Sequence, residues 1–138
     1  MKKQIALLII LFFLINLFWE VSHTALYEHP QTSPSMTVYF YMLIMLYASS
    51  VDMIMLSIIF AIVSLKNRSL KWINNPAKLD IALIIILGTI IAIFIEVRAL
   101  AAGRWSYNSL MPTIFGIGLT PLIQLFTTGI TALWLVRK

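Results

Sequence analysis

Apolar residues along this chain fall into four long runs separated by short polar stretches. The first extends from about Gln4 to Tyr27, opening after Lys2-Lys3 and continuing as ALLIILFFLINLFW. The second covers about Met36 to Leu65, the third Ile81 to Ala102, and the fourth Thr113 to Val136, closed by Arg137-Lys138. Each has the roughly 20 residues a helix needs to cross a hydrocarbon layer about 30 Å thick. Lipid offers no partner for backbone polar groups, and so few strands cannot close a barrel, so every span is expected to be helical. The pattern predicts an all-α, polytopic membrane protein: one transmembrane domain, residues 1–138, with four helices in an antiparallel bundle.

The polar stretches between the runs agree. His29 to Ser35 reads HPQTSPS and, with two prolines and no apolar run, predicts a loop. Lys66 to Asp80 reads KNRSLKWINNPAKLD, a polar connector on which Trp72 and Ile73 are expected to rest at the membrane surface. Asn67-Arg68-Ser69 matches a glycosylation sequon, which has no meaning on the cytoplasmic side where this connector is expected. The first run opens as a cleaved signal peptide does. Its apolar core is longer than the usual 7–15 residues, and Ser22 and Thr24 make a poor cleavage site, so a retained helix is expected.

Composition sharpens this picture. The 138 residues are 61% hydrophobic and only 11% charged, against about 25% charged in soluble domains. Cysteine is absent, which excludes disulfides, thiolate metal sites and Cys nucleophiles. No metal and no cofactor is expected. The net charge of +5 is not gathered in a patch, so no nucleic-acid partner is expected. The partner is the lipid bilayer, and the charges set orientation. Lys2, Lys3, Lys66, Arg68, Lys71, Lys78, Arg137 and Lys138 fall on one side, with only Arg98 and Arg104 on the other. By the positive-inside rule both termini are expected in the cytoplasm, in a multi-pass protein of the cell membrane.

A few polar residues interrupt the spans. Asn16, Glu20, His23 and Tyr27 recur at spacings of four, three and four, which places them on one face of the first helix. Such a stripe must meet protein or a watered cavity rather than lipid. Glu20 and His23 have the i, i+3 spacing of di-iron bundles, but the further carboxylates and the second Glu-x-x-His of those sites are missing. Asp52, near the middle of the second run, costs about 2.5–3.5 kcal/mol to insert and must be protonated, paired or watered. Ser49 shares its face, and Glu20, Glu96 and Arg98 are candidate neighbours. Gln124, three residues after Pro121, is expected near mid-depth of the fourth helix, where the proline frees a carbonyl and kinks the chain. A pair between Gln124 and Asp52 is expected in the bundle core, as either a helix lock or part of a site. Arg104, Trp105 and Tyr107 read equally as an interfacial aromatic belt or as a site crowded by Glu96, Arg98, Asn108 and Met111-Pro112. Gly116 and Gly118 suit close helix packing.

The stretch from Glu96 to Phe126 resembles the membrane-embedded lycopene cyclase domain. Glu96 stands nine residues before Trp105, Gly103-Arg104-Trp105-Ser106-Tyr107-Asn108 matches the middle of that family's motif, and Gly116 to Pro121 matches the approach to its end. Where the family carries Pro-x-Glu-Glu, this chain has Pro121-Leu122-Ile123-Gln124. The resemblance covers about 30 residues. It implies a pocket between helices for an isoprenoid or carotenoid-like lipid, and acid catalysis if the protein is an enzyme. Glu96, Asp52 and Glu20 would be the proton donors. His23, Arg98, Arg104, Trp105, Tyr107, Asn108 and Gln124 would bind the ligand. Fused members of that family are about twice as long, so the resemblance also allows a homo- or hetero-oligomer. Two rival expectations stand beside this one: an accessory subunit whose polar residues only lock helices together, and a component of a proton-coupled transporter using Asp52.

Overall fold

A computed structural model describes residues 1–28 and 37–137. The predicted loop from His29 to Ser35 lies outside the described residues. Four helices carry the fold: α1 (Lys2–His23), α2 (Val38–Asn67), α3 (Lys78–Ala101) and α4 (Leu119–Val136). Each is long and apolar enough to cross a membrane. They pack as an antiparallel ring, with α1 against α2 and α4, and α3 against α4. The seam between α2 and α3 is the loosest of the four.

Local chemistry sets the ends. Thr37 caps α2, its Oγ1 accepting from Phe40 N at 3.3 Å, and Arg68 ends that helix in the left-handed region at φ 50°. Helix α3 starts at Lys78, three residues before the apolar run, because Asp80 Oδ2 accepts from Ala77 N at 2.8 Å and secures the first turn. The same carboxylate accepts from Lys66 Nζ at 2.7 Å and Asn67 Nδ2 at 2.8 Å. Asp80 therefore clamps α2 to α3 at what we call the Asp80 end of the bundle.

The connector there is not a surface strap. Residues Leu70–Asn74 form a short 3-10 turn whose Trp72 and Ile73 are buried. This corrects the expectation that they lie on the membrane surface. Trp72 Nε1 donates to Ser64 Oγ at 2.8 Å, which satisfies its polar edge, and its ring packs 5.3 Å from Phe60. Asn74 ties in both chain ends through Gln4 (2.5 Å) and Arg137 (3.1 Å).

At the opposite end the sequence expectation also needs correction. Helix α1 stops at His23, followed by a 3-10 turn and strand β1 (Tyr27–Glu28), so Tyr27 is not on the helix. Strand β1 pairs with β2 (Ser106–Tyr107), placing Tyr27 opposite Tyr107. The stretch expected to begin the fourth helix is a hairpin of β3 (Thr113–Ile114) and β4 (Ile117–Gly118). Phe115 and Gly116 turn it with φ of 51° and 81°, a pair of positive values that the two-residue I′ turn requires. Pro121 then falls in the first turn of α4, where its missing N–H is not needed, so it starts the helix instead of kinking it. Gly118 lies with Met111 and Tyr107 at this end rather than between helices.

The core divides the bundle by level. Leu8, Phe12, Leu56, Ile59, Phe60, Val63, Ile84 and Leu133 fill the Asp80 half with apolar contacts. Gly88 lets α3 approach the Phe126 backbone closely there, its missing Cβ falling 3.1 Å from Phe126 N. Buried Asn16, His23, Glu96 and Gln124 are all nearer the opposite end, called here the ribbon end after the two-stranded β1–β2 ribbon.

Candidate functional site

The site begins where dry packing ends. Asn16 is fully buried and donates from Nδ2 to Phe12 O at 2.8 Å, which leaves its Oδ1 facing α4. Thr128 Oγ1 at 3.2 Å and Gln124 Nε2 at 3.3 Å approach that oxygen. Gln124 Nε2 also donates to Glu20 Oε1 at 2.6 Å and to Asp52 Oδ2 at 2.7 Å. With three oxygens around it, this end of the amide is assigned as the NH₂ group. One amide thus bridges a carboxyl group from α1 and another from α2. Ser49, on the same face of α2 as Asp52, donates to Met45 O on its own helix at 2.7 Å.

Glu96, on α3, is held by the ribbon. Its Oε2 accepts from Trp105 Nε1 at 3.2 Å and from the Tyr107 hydroxyl. The nine-residue spacing of Glu96 and Trp105 therefore reflects direct contact. Tyr27 stacks edge-on to Trp105 at 6.0 Å, lies 5.5 Å from Tyr107, and meets His23 at 5.3 Å. Burial raises the Tyr107 hydroxyl above the usual phenol range, and the bond to Glu96 adds to the effect. Burial likewise raises Tyr27, with the Glu96 charge second. Both phenols are therefore donors at neutral pH. His23 Nδ1 lies 2.8 Å from Trp19 O, so that nitrogen carries the proton and Nε2 is the acceptor in the neutral ring.

These groups surround one cavity of about 620 Å³ near the ribbon end. Glu20, His23, Asp52, Glu96, Arg104, Trp105 and Gln124, all expected as site residues, border it together. Its walls are otherwise mainly apolar, with Ala48 on α2 and Ala92 on α3 leaving room. Tyr107 stands behind Glu96 and reaches the cavity through it.

Two expected site residues stand elsewhere. Arg98 is exposed, its guanidinium 5.9 Å from the centre of the Phe94 ring, and it does not border the cavity. It is two residues from Glu96, which on a helix points it away. Asn108 is a fastener. Its Nδ2 donates to Ala25 O at 2.6 Å, its N–H to Leu26 O at 3.1 Å, and its Oδ1 accepts from Leu110 N at 2.9 Å.

Sequence reading missed Thr128 and Thr24. Thr128 stands one helical turn after Gln124, so the face of α4 carried the signal. Thr24 borders the cavity, and its Oγ1 is buried with no hydrogen-bond partner, as is Trp19 Nε1. Nothing in the sequence marks either as unpaired. Among the described residues, no three His, Cys, Asp or Glu side chains group as a metal-ligand set.

No family model matches the chain, and no curated protein or solved structure is significantly similar to it.

Proposed function

We propose that this protein binds a hydrophobic, isoprenoid-class lipid in the cavity between its four helices, with carboxyl groups at the cavity floor available as proton donors. The observation that carries this reading is convergence. Glu20, Asp52 and Glu96 come from three different helices, yet all border one cavity of about 620 Å³. That volume falls within the range of about 300–1,000 Å³ usual for small-molecule sites, as does the mix of apolar walls and few polar groups. The unpartnered Thr24 hydroxyl adds support, because a buried donor without an acceptor is costly unless a ligand or water supplies one.

The resemblance to lycopene cyclase domains gives the ligand class. Gln124 occupies the end of the stretch where those domains carry paired glutamates, and carboxyl groups from α1 and α2 flank its amide. Acid chemistry here would be an isomerisation. A carboxyl O–H adds its proton to one carbon of a polyene double bond, the cation closes onto a second double bond, and loss of a neighbouring proton returns the acid. No oxidant or reductant is consumed. In the cell membrane, the positive-inside rule puts both termini in the cytoplasm and the cavity toward the outer side.

A non-catalytic accessory role is favoured by one observation, the short bonds from Gln124 to Glu20 and Asp52, which would also serve to lock helices. Lipid extraction separates the two. The wild-type protein and an Ala48→Phe variant that fills the cavity are purified in mild detergent, and their lipids are compared by mass spectrometry. An isoprenoid enriched over bulk membrane in the wild type and depleted in the variant is the expected result. Phospholipid in bulk proportions in both overturns the ligand reading.

A further inference from the structure

The cavity has a roof, a floor and one weak wall. The β1–β2 ribbon, the Asn108 bonds to Ala25 and Leu26, and the Tyr27–Trp105 contact fasten the segment after α3 onto the end of α1. Gln124, bonded to Glu20 and Asp52, makes the floor. The seam between α2 and α3 is the loosest in the ring, and at the Asp80 end it is pinned by Lys66 and Asn67. Of the residues that border the cavity, Tyr47 on α2 is 72% exposed and Arg104 beyond α3 is also exposed, so they stand at its mouth. Just inside are the small side chains of Ala48 and Ala92, one from each helix of the seam.

The level of this mouth follows from helix geometry. Tyr47 lies 20 residues before Asn67, the last residue of α2. At 1.5 Å per residue that is about 30 Å, the thickness of the hydrocarbon layer. Measured from Asn67 along an untilted α2, Tyr47 therefore stands at about the depth of the opposite headgroup boundary, and residues 38–46 continue the helix beyond it. Behind it the cavity reaches Asp52, five residues deeper, or about 7–8 Å.

We propose that the cavity is entered sideways from the bilayer, through the α2–α3 seam between Tyr47 and Arg104, and that it takes a lipid with an uncharged head. Sideways access follows from the roof and from the depth of the mouth. The uncharged head follows from the polar lining, where three carboxyl groups (Glu20, Asp52 and Glu96) face a single guanidinium, that of Arg104. An anionic head at the floor would find no lysine or arginine to balance it, since Arg104 stands at the mouth, whereas a hydroxyl needs none and can pair with a carboxyl group whether or not that group carries its proton. The ligand class rests on the proposed function; the route does not.

The chain contains no cysteine, so single thiols can report access directly. Ala48→Cys and Ala92→Cys test the cavity, and Ser109→Cys, exposed in the segment between the ribbon and the hairpin, reports aqueous access. Each variant is reconstituted in phosphatidylcholine vesicles after circular dichroism has verified its fold. It is then treated with uncharged, lipid-soluble pyrene maleimide or with charged trimethylammonium-ethyl methanethiosulfonate. Relative to Ser109→Cys, the cavity thiols should favour the lipid-soluble reagent at least tenfold. Adding Tyr47→Trp, which narrows the mouth, should slow that labelling several-fold. Equal reagent preference at Ala48, Ala92 and Ser109 would show an opening to water and overturn the route, as would failure of both reagents at both cavity positions. Lipid-selective labelling without any co-purifying isoprenoid would leave the route standing and remove the isoprenoid.

Discussion

Replacing Gln124 with leucine keeps most of the side-chain bulk and removes the amide that joins α1, α2 and α4. Three contacts are lost: 2.6 Å to Glu20, 2.7 Å to Asp52 and a longer 3.3 Å to Asn16. Hydrogen bonds between membrane helices average about 0.6 kcal/mol and reach about 1.7. Two short bonds therefore contribute roughly 1–3 kcal/mol, with little from the third, since one NH₂ group has only two hydrogens. Gln124→Leu should destabilise the bundle by about that amount in reversible unfolding, measured by steric trapping in bicelles. Thr128→Val is the calibration. It removes a hydroxyl 3.2 Å from Asn16 Oδ1 whose single hydrogen is shared with Gln124 O at 2.8 Å and Leu125 O at 3.2 Å on its own helix, and should cost no more than about 0.6 kcal/mol. A double-mutant cycle of Gln124→Leu with Asp52→Leu should then return a coupling of about 0.6–1.7 kcal/mol. Strict additivity in that cycle, or a Gln124→Leu protein within about 0.3 kcal/mol of wild type, would refute the view that this amide holds the floor together.

Three further outcomes follow from the geometry. Asp80→Ala removes the acceptor for Lys66, Asn67 and the Ala77 N–H; because Lys66 is 35% exposed and its share is screened, the cost should be roughly 2–4 kcal/mol, with faster hydrogen exchange in the 66–78 connector. Gly88→Val forces a side chain against the Phe126 backbone, where even a Cβ would sit 3.1 Å from the nitrogen, and should cost about 1–3 kcal/mol in the same unfolding assay. Tyr27 and Tyr107 hold their protons more tightly folded than unfolded, so their contribution is complete below about pH 10, the unfolded value, and is lost as pH rises above it. An alkaline stability profile should fall there, and Tyr107→Phe should flatten it; an unchanged slope would count against the buried hydroxyl.

The four spans were legible because lipid imposes the simplest rule on a sequence, and the start of the third shifts because a polar side chain intervenes. Asp80 starts α3 early by supplying a cap, which the apolar run does not register. The Gln124–Asp52 pair was legible for the same reason, since costly groups in oil must find each other. What failed was local. Thr113 to Gly118 is as apolar as a helix, and its turn uses Phe115 at a position where Asn or Gly would have announced a hairpin. Trp72 sits in a polar stretch, but its one polar atom is satisfied by Ser64, which frees the ring for the core. Arg98 was grouped with Glu96 by nearness in sequence, although two residues on a helix face apart. Asn108 shows the converse: it carries motif-like chemistry but is spent on holding the ribbon.

The two halves of the bundle also set limits on what occupies the cavity. A cavity of about 620 Å³ that opens at the α2–α3 seam does not stand empty, because its mouth admits lipid or water from outside. The dry Asp80 half, with its clamp and close helix contacts, keeps the ribbon half from collapsing inward to close the space. A bare acyl chain could fill it, but such a chain would meet Glu20, Asp52 and the unpartnered Thr24 hydroxyl without answering any of them. An occupant that is hydrophobic along its length and carries a neutral hydrogen-bonding group or a protonatable double bond at the floor matches both the walls and the polar groups.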